Sequence, residues 1–271
     1  MKKSLSLKIY TVFLYLFLYA PIFVMIFLSF NSGKTSTVFK GFSFKWYREL
    51  FRDEATIEAL QNTLILALLS AIIATIIGTM AAVGIYNYRL KWLKGGVMFA
   101  TNIPMVNPDI VTGISLMLLF IFCGAFLGLK TSLGFTTLLI AHTTFNLPYV
   151  ILSVLPKLRQ TDPYLAEAAR DLGCTPFKAF FKVVLPTISS GIITGFMMAF
   201  TLSLDDFVIS YFTNGTFNTL PIRIYSMTKQ RVTPDMYALS TLIFLTVLIL
   251  LVLINVSQAR SEKKKKSEEV N

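Results

Sequence analysis

The stretch that decides the reading runs E-A-A-R-D-L-G-C-T-P-F-K-A-F-F-K-V-V-L-P, from Glu167 to Pro186. It is a polar island in a very apolar chain. Glu167, Arg170, Asp171, Lys178 and Lys182 supply its charges, with the small pair Ala168 and Ala169 and the flexible Gly173 between them. Long apolar runs flank it on both sides. Charge is costly inside a bilayer, so an island of this size is a loop that meets water, and its mix of small and charged residues suits contact with another protein.

The composition agrees with a membrane setting. The 271 residues are 55% hydrophobic and only 14% charged, with a mean hydropathy of +0.67, whereas soluble proteins carry about 25% charged residues. An integral membrane protein follows. The net charge of +11 would attract nucleic acid if it formed one patch. Its charges instead cluster in the gaps between apolar runs, which is the pattern of membrane topology. Cys123 lies in an apolar run and Cys174 in the island. They belong at different depths, so no disulfide is expected, and two thiols make no metal framework. Lys2, Lys3 and Lys8 precede an apolar run that continues to Phe30. That run is too long for a signal-peptide core and reads as a retained first span.

Six segments, approximately 9–30, 60–86, 97–124, 131–155, 188–212 and 236–257, meet the roughly 20 residues needed to cross ~30 Å of hydrocarbon. Pro and Gly within several of them are tolerated in membrane helices and mark breaks that line a cavity. With the N-terminus in the cytoplasm, 16 of the 25 Lys and Arg residues fall on the inner side and nine on the outer, the bias expected of cytoplasmic termini. Loop 156–187 is then cytoplasmic and loop 31–59, with Trp46 and Tyr47, external. Residues 260–271 form a basic cytoplasmic tail suited to anionic lipid. Asn214-Gly215-Thr216 fits a glycosylation pattern but reads as a turn. The pairs Gly191/Gly195 and Gly124/Gly128 permit close helix approach.

Some chemistries are missing. Ser32-Gly33-Lys34-Thr35 resembles the end of a phosphate-binding loop, but the pattern needs a Gly where Leu28 stands. The chain therefore holds no nucleotide, and any ATP belongs to a partner. His142 is the one histidine, so a His-rich metal site is excluded and no metal is expected. No G-x-S-G stretch accompanies it for a serine protease. His142 and Asn146 stand one turn apart on the fourth span and read as interhelical hydrogen-bonding residues.

With those exclusions the island takes on a family character. Glu167-Ala168-Ala169, three residues, Gly173, nine residues, then Val183-x-Leu185-Pro186 resembles the cytoplasmic E-A-A motif of ATP-binding-cassette importer permeases, with Val183 where that pattern usually has Ile. The resemblance implies an all-α membrane protein of six transmembrane helices, the type I importer permease fold, with a cytoplasmic coupling helix between spans four and five. It also implies that Glu167, Ala168, Ala169, Gly173, Leu185 and Pro186 form the coupling site for an ATPase. Small side chains at 168 and 169 allow close docking, and Gly173 can supply the left-handed turn that ends a short helix. Pro104-Met105-Val106-Asn107-Pro108-Asp109-Ile110-Val111, Leu202-Ser203-Leu204-Asp205-Asp206-Phe207 and Leu220-Pro221-Ile222-Arg223-Ile224-Tyr225-Ser226-Met227 look like the second permease subunit of spermidine/putrescine importers.

The acidic residues point to a cationic cargo independently of that resemblance. Asp109 stands about twelve residues into the third apolar run, ~18 Å along a helix, which is mid-membrane. Asp205 and Asp206 lie toward the outer half of the fifth. A charged Asp at a helix centre costs roughly 2.5–3.5 kcal/mol, and no Lys or Arg in the central part of either span neutralises them. They face a wet cavity or a partner helix, and structural pairing is the competing role. Adjacent residues are separated by about 100° on a helix, so one of Asp205 and Asp206 can face cargo while the other takes a backbone donor. Pro104 and Pro108 flank the approach to Asp109 and open the helix near it. Phe207 and Tyr211 either pack in lipid and core or stack on a cation.

The expectation is a transporter subunit and not an enzyme, moving polyamines across the cytoplasmic membrane with the path at Asp109, Asp205, Asp206, Phe207 and Tyr211. As in the family, its partners would be a second homologous permease, a homodimeric ATPase that binds ATP and Mg²⁺, and an extracytoplasmic binding protein. The alternatives are a permease for an anion, a metal ion or a small organic cation, or an intramembrane enzyme or channel.

Overall fold

The computed structural model describes residues 5–33, 38–88, 90–126, 128, 133–230 and 234–268. The side chains of 5–7, 91, 93, 230, 250 and 253–268 lie outside that description. Lys34 and Thr35 of the phosphate-loop lookalike also lie outside it. Apart from a single bridge between Asn31 and Phe42, the regular structure among the described residues is helical. The helices are α1 (Leu5–Ser29), α2 (Lys45–Leu50), α3 (Glu54–Asn87), α4 (Lys91–Val106), α5 (Asp109–Phe126), α6 (Phe135–Gln160), α7 (Leu165–Asp171), α8 (Pro176–Ala179), α9 (Leu185–Asp205), α10 (Val208–Thr213), α11 (Leu220–Gln230) and α12 (Pro234–Glu268). Five helical stretches are long and apolar enough to cross a membrane, and Pro234–Ile249 of α12 is a shorter apolar one. The backbone of α12 runs through the sixth expected span and on to Glu268. The side chains of the basic tail lie outside the described residues.

Two compact units are present, Met1–Glu58 with Arg223–Asn271, and Ala59–Ile222. In the first, α12 packs against α1 and α2. Asn31 is fully buried and organises the loop between α1 and α2. Its Nδ2 donates to Val38 O at 2.8 Å, and its Oδ1 accepts from the amides of Gly33 (3.1 Å) and Lys40 (2.9 Å). Trp46 Nε1 donates to Asn31 O at 2.7 Å. Arg223 Nη2 donates to Asp53 Oδ2 at 3.1 Å.

The second unit is built on α3, α6 and α9. Side chains four residues apart share a helix face, and here three such rows meet: Ser70, Ala74 and Gly78; His142, Asn146 and Val150; Ser203, Ala199 and Gly195. Ser70 and Ser203 hydroxyls lie 3.0 Å apart. A Cβ at Gly78 would lie 2.8 Å from Val150 Cβ, and one at Gly195 3.2 Å from Val150 Cα. At Gly191 a Cβ would sit 2.9 Å from Ser153 O, so the 191/195 pair makes the close approach expected of it. Gly124 is buried in α5, but Gly128 lies beyond the helix end at Phe126 with a positive φ of 66° and open space around it, so the two do not share a helix face. Val150, Val154, Leu155 and Leu158 of α6 fill the core against Ala71, Ala82 and Ile85 of α3 and Ile188 of α9.

Two expected spans are divided. The third breaks at Asn107–Pro108, where Pro108 lacks an amide proton and drives Asn107 to an extended ψ of 135°. Pro104 is carried inside α4. Asp109 therefore does not sit inside an unbroken helix but is the first residue of α5. The fifth is helical from Pro176 to Asp205, starting inside the polar island. It widens into a π-turn over Phe180–Val184, which accommodates the missing amide and ring of Pro186. It ends at Asp205, before α10.

Candidate functional site

The break after Asp205 creates a polar corner. Asp206 leaves the helix with φ −64° and ψ 115°. Its carboxylate is almost fully buried and accepts from the amides of Ile209 (3.3 Å) and Ser210 (2.8 Å). These are amides in the first turn of α10 that no helical carbonyl can serve. Asp205, one residue earlier, is exposed. A helix carrying both would have set them about 100° apart; the break separates their environments further.

His142 of α6 faces the corner. Its Nδ1 lies 2.7 Å from Ser203 Oγ, and its Nε2 lies 2.9 Å from Ser210 Oγ and 3.3 Å from Asp206 Oδ2. Ser203 in turn meets Ser70 of α3 at 3.0 Å. His142, Ser203, Ser210 and Ser70 are all buried. Asn146, one turn along α6, is wholly buried, and among the described residues neither of its side-chain amide atoms has a hydrogen-bond partner.

Asp109 is exposed at the start of α5. One turn on, α5 meets α10: a Cβ at Gly113 would lie 2.9 Å from the Phe212 ring and 3.4 Å from Val208 O. That contact brings the Asp109 end of α5 to the segment that follows Asp205 and Asp206. Phe207 and Tyr211 have ring centroids 5.5 Å apart, and Tyr211 is exposed.

The island forms a second site. In α7, Ala169 is buried while Glu167, Ala168, Arg170 and Asp171 are exposed. The helix ends in a paired cap: Gly173 N donates to Arg170 O at 2.9 Å and Cys174 N to Ala169 O at 3.1 Å, with Gly173 at φ 87°. That pattern needs a left-handed residue after the helix, and glycine adopts it without a Cβ clash. Leu185 is half-buried and Pro186 exposed where α9 begins. Leu172 is 88% exposed and Phe177 73%, a large apolar area for a segment bounded by charges. Behind α7 lies a cavity of about 230 Å³ lined by Tyr86, Asn87, Asp162, Arg170 and Phe180 among others.

Residues 74–267 match the family described as "Binding-protein-dependent transport system inner membrane component". The chain belongs to that family. Among curated relatives, the permease is 41% identical over 250 residues to the putrescine transport system permease protein PotI of Escherichia coli (strain K12), covering 92% of this chain and 89% of that one. It is 39% identical over 242 residues to the spermidine/putrescine transport system permease protein PotC of Haemophilus influenzae, covering 88% and 91%. Among solved structures it superposes with TM-score 0.74 and 18% identity on a chain of a bacterial ABC transporter involved in the import of the acidic polysaccharide alginate, covering 95% and 94%. That likeness supports the type I importer fold. The permease is thus a multi-pass inner-membrane transporter subunit and not an enzyme. Permeases of this class work in an assembly with a partner permease, an ATPase and a binding protein.

Sequence reasoning gave no role to Leu172 and Phe177 within the island, to Ser203 within the Leu202–Phe207 stretch, or to Ser210. For the first two a signal exists: large apolar residues inside a charged segment. For Ser203 and Ser210 there is none, because their link to His142 spans 61 and 68 residues.

Proposed function

We propose that this permease moves polyamines, spermidine or putrescine, into the cytoplasm. The observation that carries the reading is the set of carboxylates where two spans break, Asp109 at the start of α5 and Asp205 at the end of α9, both exposed. A polyamine is a chain of protonated amines with apolar spacers, and separated carboxylates with an aromatic pair nearby match it. An acidic polysaccharide is the cargo of the structurally similar alginate importer; carboxylates in the path would repel such an anion. The curated relatives named for putrescine and spermidine support the same cargo.

In this reading Asp205 and Asp109 touch cargo, Phe207 and Tyr211 stack on it, and Asp206 contributes charge from behind while it caps α10. Contacts in a translocation path are weak so that cargo leaves, and tight capture belongs to the extracytoplasmic binding protein. Both termini lie in the cytoplasm. A second, homologous permease completes the path. A homodimeric ATPase holds ATP and Mg²⁺ and docks on Glu167, Ala168, Ala169, Gly173, Leu185 and Pro186, with Leu172 and Phe177 adding apolar contact. Its closure draws the coupling helices together and turns the pair outward. Neutralising Asp109, Asp205 and Asp206 one at a time to Asn tests the path: uptake should fall in the assembled importer, and full spermidine uptake by all three variants would refute it.

A further inference from the structure

We propose that His142 is a positioning residue of the transport path, a strut from α6 that ties the two halves of the broken fifth span together. The inference rests on the transport reading above, because what the strut positions is the cargo-facing group set. The fifth span has no covalent reason to keep one angle at its break: α9 ends at Asp205, Asp206 is extended, and helical bonding resumes with Phe207 O, which accepts from Tyr211 N at 2.8 Å. The Asp206 carboxylate secures only the α10 side, through Ile209 and Ser210. His142 reaches both sides with one rigid ring. Nδ1 meets Ser203, three residues before the break, and Nε2 meets Ser210, four residues after it, with Asp206 Oδ2 at 3.3 Å.

The hydrogen bonding has a consistent direction. A carboxylate only accepts, so the ring proton belongs on Nε2, facing Asp206 and Ser210. Nδ1 then accepts from the Ser203 hydroxyl. The Ser203 and Ser70 hydroxyls lie 3.0 Å apart, tying the strut to α3 as well. The side chain is 3% exposed, so water does not compete for these bonds. Asp205, Phe207 and Tyr211 sit at or within one turn of the break. Their relative placement follows the angle that His142 holds.

The test uses the full importer in lipid vesicles with His142→Ala and His142→Gln. Gln places a donor NH2 and an acceptor oxygen on one planar group, where neutral His places a donor N–H and an acceptor nitrogen. The strut predicts that His142→Ala lowers the maximal rate of polyamine uptake at least about tenfold, the scale of a lost buried hydrogen-bond network. It predicts that His142→Gln recovers most of that loss and that Ser203→Ala with Ser210→Ala reproduces it. Because His142 is the chain's one histidine, a permease labelled with the heavy nitrogen isotope at histidine gives a single-site magnetic resonance signal, expected as one tautomer protonated on Nε2. Wild-type uptake by His142→Ala overturns the strut. So does equal loss in the Ala and Gln variants, or a signal from both tautomers in exchange. If His142→Ala does not assemble, the Gln and double-serine variants decide. A wild-type complex that moves no polyamine but shows the single tautomer refutes the cargo and leaves the strut standing.

Discussion

Asp205 and Asp206 are sequence neighbours in opposite environments: Asp205 is exposed at the last residue of α9, while the Asp206 carboxylate is buried against the Ile209 and Ser210 amides and 3.3 Å from His142 Nε2. The same mutation should therefore read differently at the two positions. Asp206→Ala removes a charged acceptor from two buried amides and should lower stability by about 1.5–3 kcal/mol. Asp205→Asn should stay within about 0.5 kcal/mol of wild type yet cut uptake. Thermal unfolding of the purified assembly beside vesicle uptake separates the two; equal destabilisation would contradict the division of roles.

Asn146 is the reverse case, a wholly buried amide whose polar atoms find no hydrogen-bond partner among the described residues. Ala74 and Ala199 occupy its level in the rows of α3 and α9, and both are buried. A buried unsatisfied group costs about 1–3 kcal/mol, so Asn146→Leu should leave stability unchanged or raise it by up to that amount. A loss of stability in thermal unfolding would mean that the amide is bonded.

In the coupling segment, Leu172→Asp should disrupt docking without disturbing the fold. Leu172 is 88% exposed, and surface substitutions stay within about 0.5 kcal/mol. The variant permease should unfold at the wild-type temperature but retain at least about tenfold less ATPase on co-purification. Undiminished retention would place the contact elsewhere on the segment.

Outside the spans, the Thr56 hydroxyl and then the Arg223 guanidinium hold the Asp53 carboxyl below its ordinary value of 3.8. A depressed folded-state pKa stabilises above the unfolded value and is lost as pH falls through the folded one. Stability of wild type should thus fall in the acid range below about pH 4, and Thr56→Val should flatten that fall. Both members of the Arg223–Asp53 pair are about a third exposed, so the ion pair itself contributes under about 1 kcal/mol. An unchanged slope in Thr56→Val would assign the acid loss to other groups.

The spans and the island were readable from the chain because hydropathy and charge are local properties. The break at Pro108 was readable too, since a missing amide and a steric clash act on adjacent residues. The break at Asp206 was not: Leu202-Ser203-Leu204-Asp205-Asp206-Phe207 contains neither Pro nor Gly. It forms because an Asp side chain offers the next backbone amides an alternative acceptor and because His142 arrives from another helix. The interhelical role of His142 was visible in its burial within an apolar run, but its serine partners were not. For Asp109 the residue count gave a position along the apolar run, and the Pro108 break adds that the residue begins a helix there.

The cargo is tested most directly by ATP-dependent uptake into vesicles holding the whole importer with its binding protein. Labelled putrescine and spermidine should accumulate only with ATP, each should compete with the other, and an anionic solute should do neither. Accumulation of the anion, or ATP-dependent cycling with no polyamine entry, would contradict it.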